Sequence, residues 1–410
     1  VLNRIQIQAI LIIIVIFCTI SGRAQDKGVA RSANDFAFKL LHSLSADEPD
    51  KNLFFSPLSV NAALAIAYGG AQGETKTEMG RALSVSEISD ASLDAGYQNA
   101  LLQIAKPDTT YSLDIANALW MRPQFPFKPD FVKRGTGSYL SEILPLTTAD
   151  EINSWAARKT HGRIKEVIQD IQAETILIIT NAVYFKGSWI VKFDSTKTEP
   201  KDFHLTNKKT KLTPMMKLQE SKKVINAGYR YYQGNLVQVL EMPYKGGRVS
   251  MYLFLPKDDL GSFMKELDVD RWHEMVGKFK PLTEALKGGK LNLEMPRLKL
   301  DTKYELVKNL QEIGMKRAFS EREADFGKMA ECKNGNISIS KVSQKAFVQV
   351  NEEGTEAAAV TTMEVITTSY HPTPPPLNFI VDRPYFFMLV DRENGLILFM
   401  GSVYDPTLGS

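Results

Sequence analysis

Two hydrophobic rhythms divide the chain. In the first third, apolar residues recur at helical spacing; further on they run continuously or pair across tight turns, as in strands. Ser56-Pro57 predicts the first clear helix, because Ser suits the N-cap and Pro the first helical position. Leu58, Ala62, Leu64, Ala65 and Ala67 follow, and Gly69-Gly70 closes the segment. With so little polar surface it belongs in the core. Thr75 with Glu78, and Thr148 with Glu151, have the spacing of capping boxes. The second pair leads a helix carrying Ile152, Trp155 and Ala156 that turns basic at Arg158, Lys159 and Arg163.

Residues 175–185 are almost wholly apolar, which predicts a strand covered on both faces. Val237 to Met242 and Val249 to Leu255 flank Lys245-Gly246-Gly247-Arg248, the signature of a hairpin. Phe386 to Val390 and Leu396 to Val403 flank Glu393-Asn394-Gly395, a second hairpin with an Asn-Gly turn. Helices crowd the beginning and strands the remainder, so the fold class is α+β. No internal repeat is visible. Gly, Pro and Ser do not cluster into a linker before residue 371, so one large cooperative unit is expected over residues 25–410.

Before that unit stands an apolar run from Ala9 to Ile20, preceded by Arg4 and followed by Ser21-Gly22-Arg23-Ala24. It is shorter than the roughly 20 residues that span a bilayer. It predicts a secretory signal peptide, residues 1–24, cleaved after Ala24, and therefore a secreted, extracellular protein. Cleavage also removes Cys18 and leaves Cys332 alone, so no intramolecular disulfide forms and a sizeable core must stabilise the fold. Asn336-Ile337-Ser338 is a glycosylation sequon. The net charge of +3 is too small to suggest a nucleic-acid partner.

Catalytic signatures are missing. The chain has no Gly-x-Ser-x-Gly elbow and no phosphate-binding loop. His273-Glu274 lacks the second His of a zinc-protease helix, and one Cys cannot build a thiolate metal cluster. The expectation is a protein that is not an enzyme and holds no metal or cofactor. Lys201, Lys208, Lys209 and Lys211 form a basic stretch. Without aromatic interleaving or helical register it reads first as a solvated face, and second as a surface for a sulfated polysaccharide.

One segment does not fit its surroundings. Residues 351–366, from Asn351-Glu352-Glu353-Gly354-Thr355-Glu356-Ala357-Ala358-Ala359 to Val365-Ile366, are spelled like a strand. Yet they lead into Thr367-Thr368-Ser369-Tyr370-His371-Pro372-Thr373-Pro374-Pro375-Pro376, an exposed loop. This hinge-like string, with Phe55-Ser56-Pro57-Leu58-Ser59, Asn181 through Trp189, and Phe379-Ile380-Val381-Asp382-Arg383-Pro384-Tyr385, resembles the serpins, the family of serine-protease inhibitors. The resemblance runs from about Phe36 to Pro406. It implies three β-sheets, eight to nine helices, and a metastable monomer with an exposed reactive-centre loop at about 352–378. Cleavage of that loop by a serine protease would insert it into the main sheet and trap the protease covalently. Glu352, Glu353, Gly354, Thr355, Glu356, Ala357, Ala358 and Ala359 would form the hinge. Ser56, Asn181 and Gln344 would lie beneath the point where the sheet opens, and Trp189 at its top.

The hinge residues can be read on their own. With a period of two, one face carries Thr355, Ala357, Ala359, Thr361, Met363 and Val365 and holds no charge. The other carries Glu356, Ala358, Val360, Thr362, Glu364 and Ile366, and no Pro interrupts the run. The β-branched continuation argues against the helix that Ala alone would favour.

Family register places the scissile bond between Thr368 and Ser369, implying an elastase-like protease. A shift of two makes Tyr370-His371 the bond and the target chymotrypsin-like. The loop has no Arg or Lys to meet the buried carboxylate of a trypsin-like pocket. The same scaffold also serves carriers and chaperone-like binders, and a loop cut without trapping would make the chain a mere substrate. Two departures stand out: Gln344 where many members have His, and Tyr385 in place of Phe.

Overall fold

The computed structural model describes residues 28–106, 110–218, 221–331, 336–355 and 374–408. The signal segment 1–24, Cys332, Glu356 to Ala359, and the candidate bonds at Thr368, Ser369, Tyr370 and His371 lie outside them.

Position in the sequence decides which strands share a sheet only through long crossovers, and the architecture is built on one of these. The apolar run predicted at 175–185 forms the strand Leu177–Ser188, buried from Leu177 through Phe185. It is the spine of a six-stranded sheet whose members, in chain order, are β1 (Tyr111–Met121), β2 (Glu142–Pro145), β3 (Leu177–Ser188), β4 (Leu298–Glu305), β5 (Ile339–Asn351) and β6 (Gly354–Thr355). Across the sheet they stand in the order β4-β5-β6-β3-β1-β2. β1 runs antiparallel to β3 from Tyr111 opposite Gly187 to Met121 opposite Leu177. On the other side, β5 runs parallel to β3 from Ile339 opposite Leu177 to Phe347 opposite Tyr184. Above that point the two diverge, and β6 sits in the fork.

Behind this main sheet stands a seven-stranded one that contains both predicted hairpins. Val237–Pro243 pairs with Val249–Pro256, and Tyr385–Asp391 with Ile397–Val403, each antiparallel. Gly395 takes φ +75° in the second turn, a conformation that favours Gly. A four-stranded sheet, ordered Leu377–Ile380, Leu291–Pro296, Thr210–Leu218, Glu199–His204, caps one end.

The helix predicted after Ser56 spans Pro57–Gly70 and is buried at every position but Gly69. Its apolar residues join one continuous core shared by the main and seven-stranded sheets. A second, smaller core fills the opposite face of the main sheet. There Ile152, Trp155 and Ala156 of helix Ala149–Lys159 cover Trp120, Ile178 and Ala182. Trp120 and Trp155 meet edge to face at 5.6 Å, a favoured aromatic geometry.

The helix count is larger than the resemblance implied. Eleven α-helical segments lie among the described residues, including helix 28–47 and several of only five to eight residues. The capping expectations divide. Thr148 accepts from the Glu151 amide at 3.2 Å, while the Glu151 carboxylate bonds Thr147. Ser56 does not cap: its hydroxyl donates to the Leu398 carbonyl at 2.7 Å. Thr75 lies inside helix Gly73–Ala82, where its hydroxyl accepts from the Asp325 amide, and Glu78 receives the amides of Lys316 and Arg317. In both failures a distant chain segment offers a better partner than the local helix end.

Candidate functional site: the fork in the main sheet

β5 ends at Asn351, the chain turns through Glu352 and Glu353, and Gly354 and Thr355 return between the two central strands. Thr355 lies opposite Val350 on one side and Gly187 on the other; Gly354 lies opposite Asn351 and Ser188. The seat admits no side chain at position 354. Gly354 has φ +145°, and a Cβ there would lie 2.1 Å from the Gly187 carbonyl oxygen. Gly187 is constrained from its own side, where a Cβ would fall 2.8 Å from the Phe185 ring.

Every hinge residue that is described is tied down. Trp189 donates its amide to the Glu353 carbonyl at 2.8 Å and its indole N–H to the Asn351 carbonyl at 3.0 Å. Its ring stacks on Tyr244 at 4.5 Å. The Tyr244 hydroxyl meets the Thr355 hydroxyl at 2.9 Å, and both residues are fully buried. Burial pushes the Tyr244 hydroxyl far above its ordinary pKa, so it keeps its proton and remains available as a donor. Glu352 accepts from Arg297 at 2.6 Å and from the Thr198 hydroxyl at 2.6 Å, and its carbonyl receives the Phe193 amide at 2.9 Å. Glu353 pairs with Lys192.

Glu352 supplies a pH test. Burial alone would raise its pKa, but Arg297 and Thr198 outweigh burial and hold the carboxyl below its ordinary 4.5. A carboxylate lowered in this way contributes its full stability above the ordinary value and loses it as the pH falls through the lowered one. Amide-exchange protection at Gly354 and Thr355 should therefore hold at neutral pH and fall in acid below 4.5. In Arg297→Met it should already be low at neutral pH. Unchanged protection through the acid range would show that the ion pair does not secure the hinge.

Below the fork lies a buried polar row. Asn117, Asn181 and Gln344 stand side by side on β1, β3 and β5 in the observed register. The Gln344 side chain grips the backbone of Ser56 at two points. Its Oε1 accepts the Ser56 amide at 3.0 Å and its Nε2 donates to the Ser56 carbonyl at 2.9 Å. That nitrogen also donates to the Asn181 side chain, which in turn donates to Ser59 and Asn117. Ser59 donates to Asn117 at 3.1 Å. The departure at Gln344 thus has a structural use: an amide carries donor and acceptor on one end and can clamp a peptide backbone from one side. The other departure has none: the Tyr385 hydroxyl is buried and has no hydrogen-bond partner among the described residues.

The four sheet-opening residues named from the sequence are thus brought together in two layers, Trp189 above and Ser56, Asn181 and Gln344 below. Sequence reasoning missed Ser59, Asn117, Tyr244 and Arg297. Asn117 left a signal, a lone amide in an otherwise apolar strand end, Ala116-Asn117-Ala118-Leu119-Trp120. Arg297 left none. The basic stretch is partly neutralised. Lys201 pairs with Glu294 at 2.8 Å and Lys211 with Asp405, while Lys208 occupies a turn with φ +63° and Lys209 is exposed beside it. Asn336 is exposed and donates to the Arg322 carbonyl.

A main sheet forked at Gly354 and Thr355, beside a seven-stranded sheet and a four-stranded one that Leu377–Ile380 joins, is the architecture to be placed among known proteins. The comparisons give that architecture its name. The family profile described as serpin (serine protease inhibitor) matches residues 31–406. The chain is 36% identical to Serpin B8 of Homo sapiens over 90% of this chain and 97% of that protein. It is 32% identical to leukocyte elastase inhibitor A of Rattus norvegicus over 92% of this chain and 99% of that protein. Its fold superposes on the thermophilic serpin Tengpin in the native state with a TM-score of 0.82 at 25% identity, covering 92% of this chain and 94% of that one. The chain belongs to the serpin family.

Proposed function

We propose that this serpin is secreted and inhibits an elastase-like or chymotrypsin-like serine protease as a suicide substrate, without catalysis of its own. The protease serine attacks the carbonyl of the bait residue, Thr368 in the first register and Tyr370 in the second. The peptide bond to Ser369 or His371 breaks, its amine leaves, and the chain is held as an acyl ester. Freed at one end, the loop then follows Gly354 and Thr355 downward from the fork: β6 lengthens between β3 and β5, displaces their pairing, and carries the protease with it. The observation that supports this reading is the seat of Gly354 and Thr355, already paired to both strands at the fork while β3 and β5 remain paired with each other below it.

The test is direct. Incubation of the full chain with pancreatic elastase and with chymotrypsin should give a 1:1 complex that survives SDS. Mass spectrometry of the released C-terminal peptide should show Ser369 at its start, or His371 if the second register holds. Cleavage by a wide set of serine proteases without any stable complex would reduce the chain to a substrate and sink inhibition. Secretion has its own readout: the chain recovered from the medium of expressing cells should begin at Gln25.

A further inference from the structure

At the junction of the four-stranded and main sheets lies a cavity of about 600 Å³, within the roughly 300–1,000 Å³ typical of small-molecule sites. Leu212, Pro214, Leu298, Val350 and Pro406 give it apolar walls, and Leu212 is 69% exposed at its edge. Two cations reach it. Lys299 lines the cavity and has no ion-pair partner among the described residues. Arg297 engages Glu352 through Nε and Nη2, which leaves Nη1 without a hydrogen bond among the described residues. Among the described residues no carboxylate lines the cavity. Its other polar groups, from Thr213, Gln349, Asn351 and Thr407, are neutral.

An apolar hollow that meets, among the described residues, an unpaired Lys299, the spare Nη1 of an Arg297 otherwise engaged by Glu352, and no lining carboxylate is complementary to one kind of molecule. We propose that it binds a small amphipathic carboxylate, with its aliphatic body against Leu212, Leu298 and Val350 and its head group on Lys299 and the Nη1 of Arg297. The carboxylate gains charge-assisted hydrogen bonds from donors that have no partner among the described residues, and the body removes apolar surface from water. Neither part depends on protease inhibition, so the site stands or falls separately from the proposed function.

Dodecanoate, kept below its micelle concentration, is the probe. Titrated into the full chain by calorimetry, it should bind saturably with one site per chain. Lys299→Met keeps the stem and removes the charge; it should weaken dodecanoate at least fivefold and leave neutral dodecanol within twofold. Leu212→Asp, which places an anion at the edge, should weaken dodecanoate as strongly. Absence of saturable binding, equal affinity in wild type and Lys299→Met, or acetate binding as tightly as dodecanoate would each overturn the assignment.

Discussion

Thr355→Arg is expected to convert the inhibitor into a substrate. Thr355 is fully buried, bonded to the Tyr244 hydroxyl at 2.9 Å, and flanked by Val350 and Gly187 on the two strands between which the proposed insertion would pass. An arginine there has two outcomes, both unfavourable to trapping. Left outside, it unseats β6 and removes the start from which insertion proceeds. Forced inside, it buries a charge without a partner, which costs several kcal/mol. Trapping is a race between insertion and hydrolysis of the acyl ester, and each 1.36 kcal/mol on the insertion barrier slows it tenfold. About 3 kcal/mol therefore lengthens insertion more than a hundredfold and gives the race to hydrolysis. Loop cleavage should continue at the wild-type rate while the yield of SDS-stable complex falls more than tenfold. Thr355→Val, which keeps size and loses only the hydroxyl, should retain most of the complex. Wild-type yield from Thr355→Arg would show that trapping does not pass through this fork.

How much of the site could be read beforehand depended on how local its information was. The hinge was named through the family resemblance, supported by local spelling (alternation, small side chains and no Pro), and of its residues the structure describes Glu352 to Thr355. Gly354 was one of eight residues in that string, and only the structure sets it apart, by a backbone approach that leaves no space for a Cβ. The two hairpins were legible from local spelling. The partners of the hinge were not. Arg297 and Glu352 lie 55 positions apart, and Gln344 and Ser56 lie 288 apart. The first pairing is fixed by the register of β4 against β5, with Leu298 opposite Val350, and the second by the helix packed behind β5; neither is encoded in any short window. The failed caps at Ser56 and Thr75 teach the same lesson from the other side. Each has the residue that a local motif requires, and each hydroxyl is claimed by a segment far along the chain. Local chemistry marks which groups seek partners; topology decides which partners arrive.

Cutting the loop should raise the melting temperature by about 8 °C or more. The intact chain has β3 and β5 paired with each other from Leu177 and Ile339 to Tyr184 and Phe347, in a parallel ladder. A loop that inserts exchanges this one parallel ladder for two antiparallel ones, and antiparallel pairing is slightly the more stable per residue. A lower bound on the gain comes from the work that trapping requires. Removing one oxyanion-hole donor from a protease is worth about 3 kcal/mol of catalysis. Disordering the triad as well is at least comparable, so insertion must release roughly 6 kcal/mol or more. When the loop is nicked without a protease attached, that surplus remains in the chain as stability. Unfolding entropy near the melting temperature is about 2.1 cal/mol/K per residue, or about 0.8 kcal/mol/K for roughly 380 residues, so 6 kcal/mol corresponds to about 8 °C. Scanning calorimetry of the intact chain and of one cleaved after Thr368 or Tyr370 measures it. A nick in an ordinary surface loop leaves the melting temperature unchanged or lowers it, because it frees the chain ends and adds no contact. A cleaved serpin of this sequence that melts at or below its intact parent would therefore hold no stored energy, and the seat at Gly354 and Thr355 would be a resting contact rather than the first step of insertion.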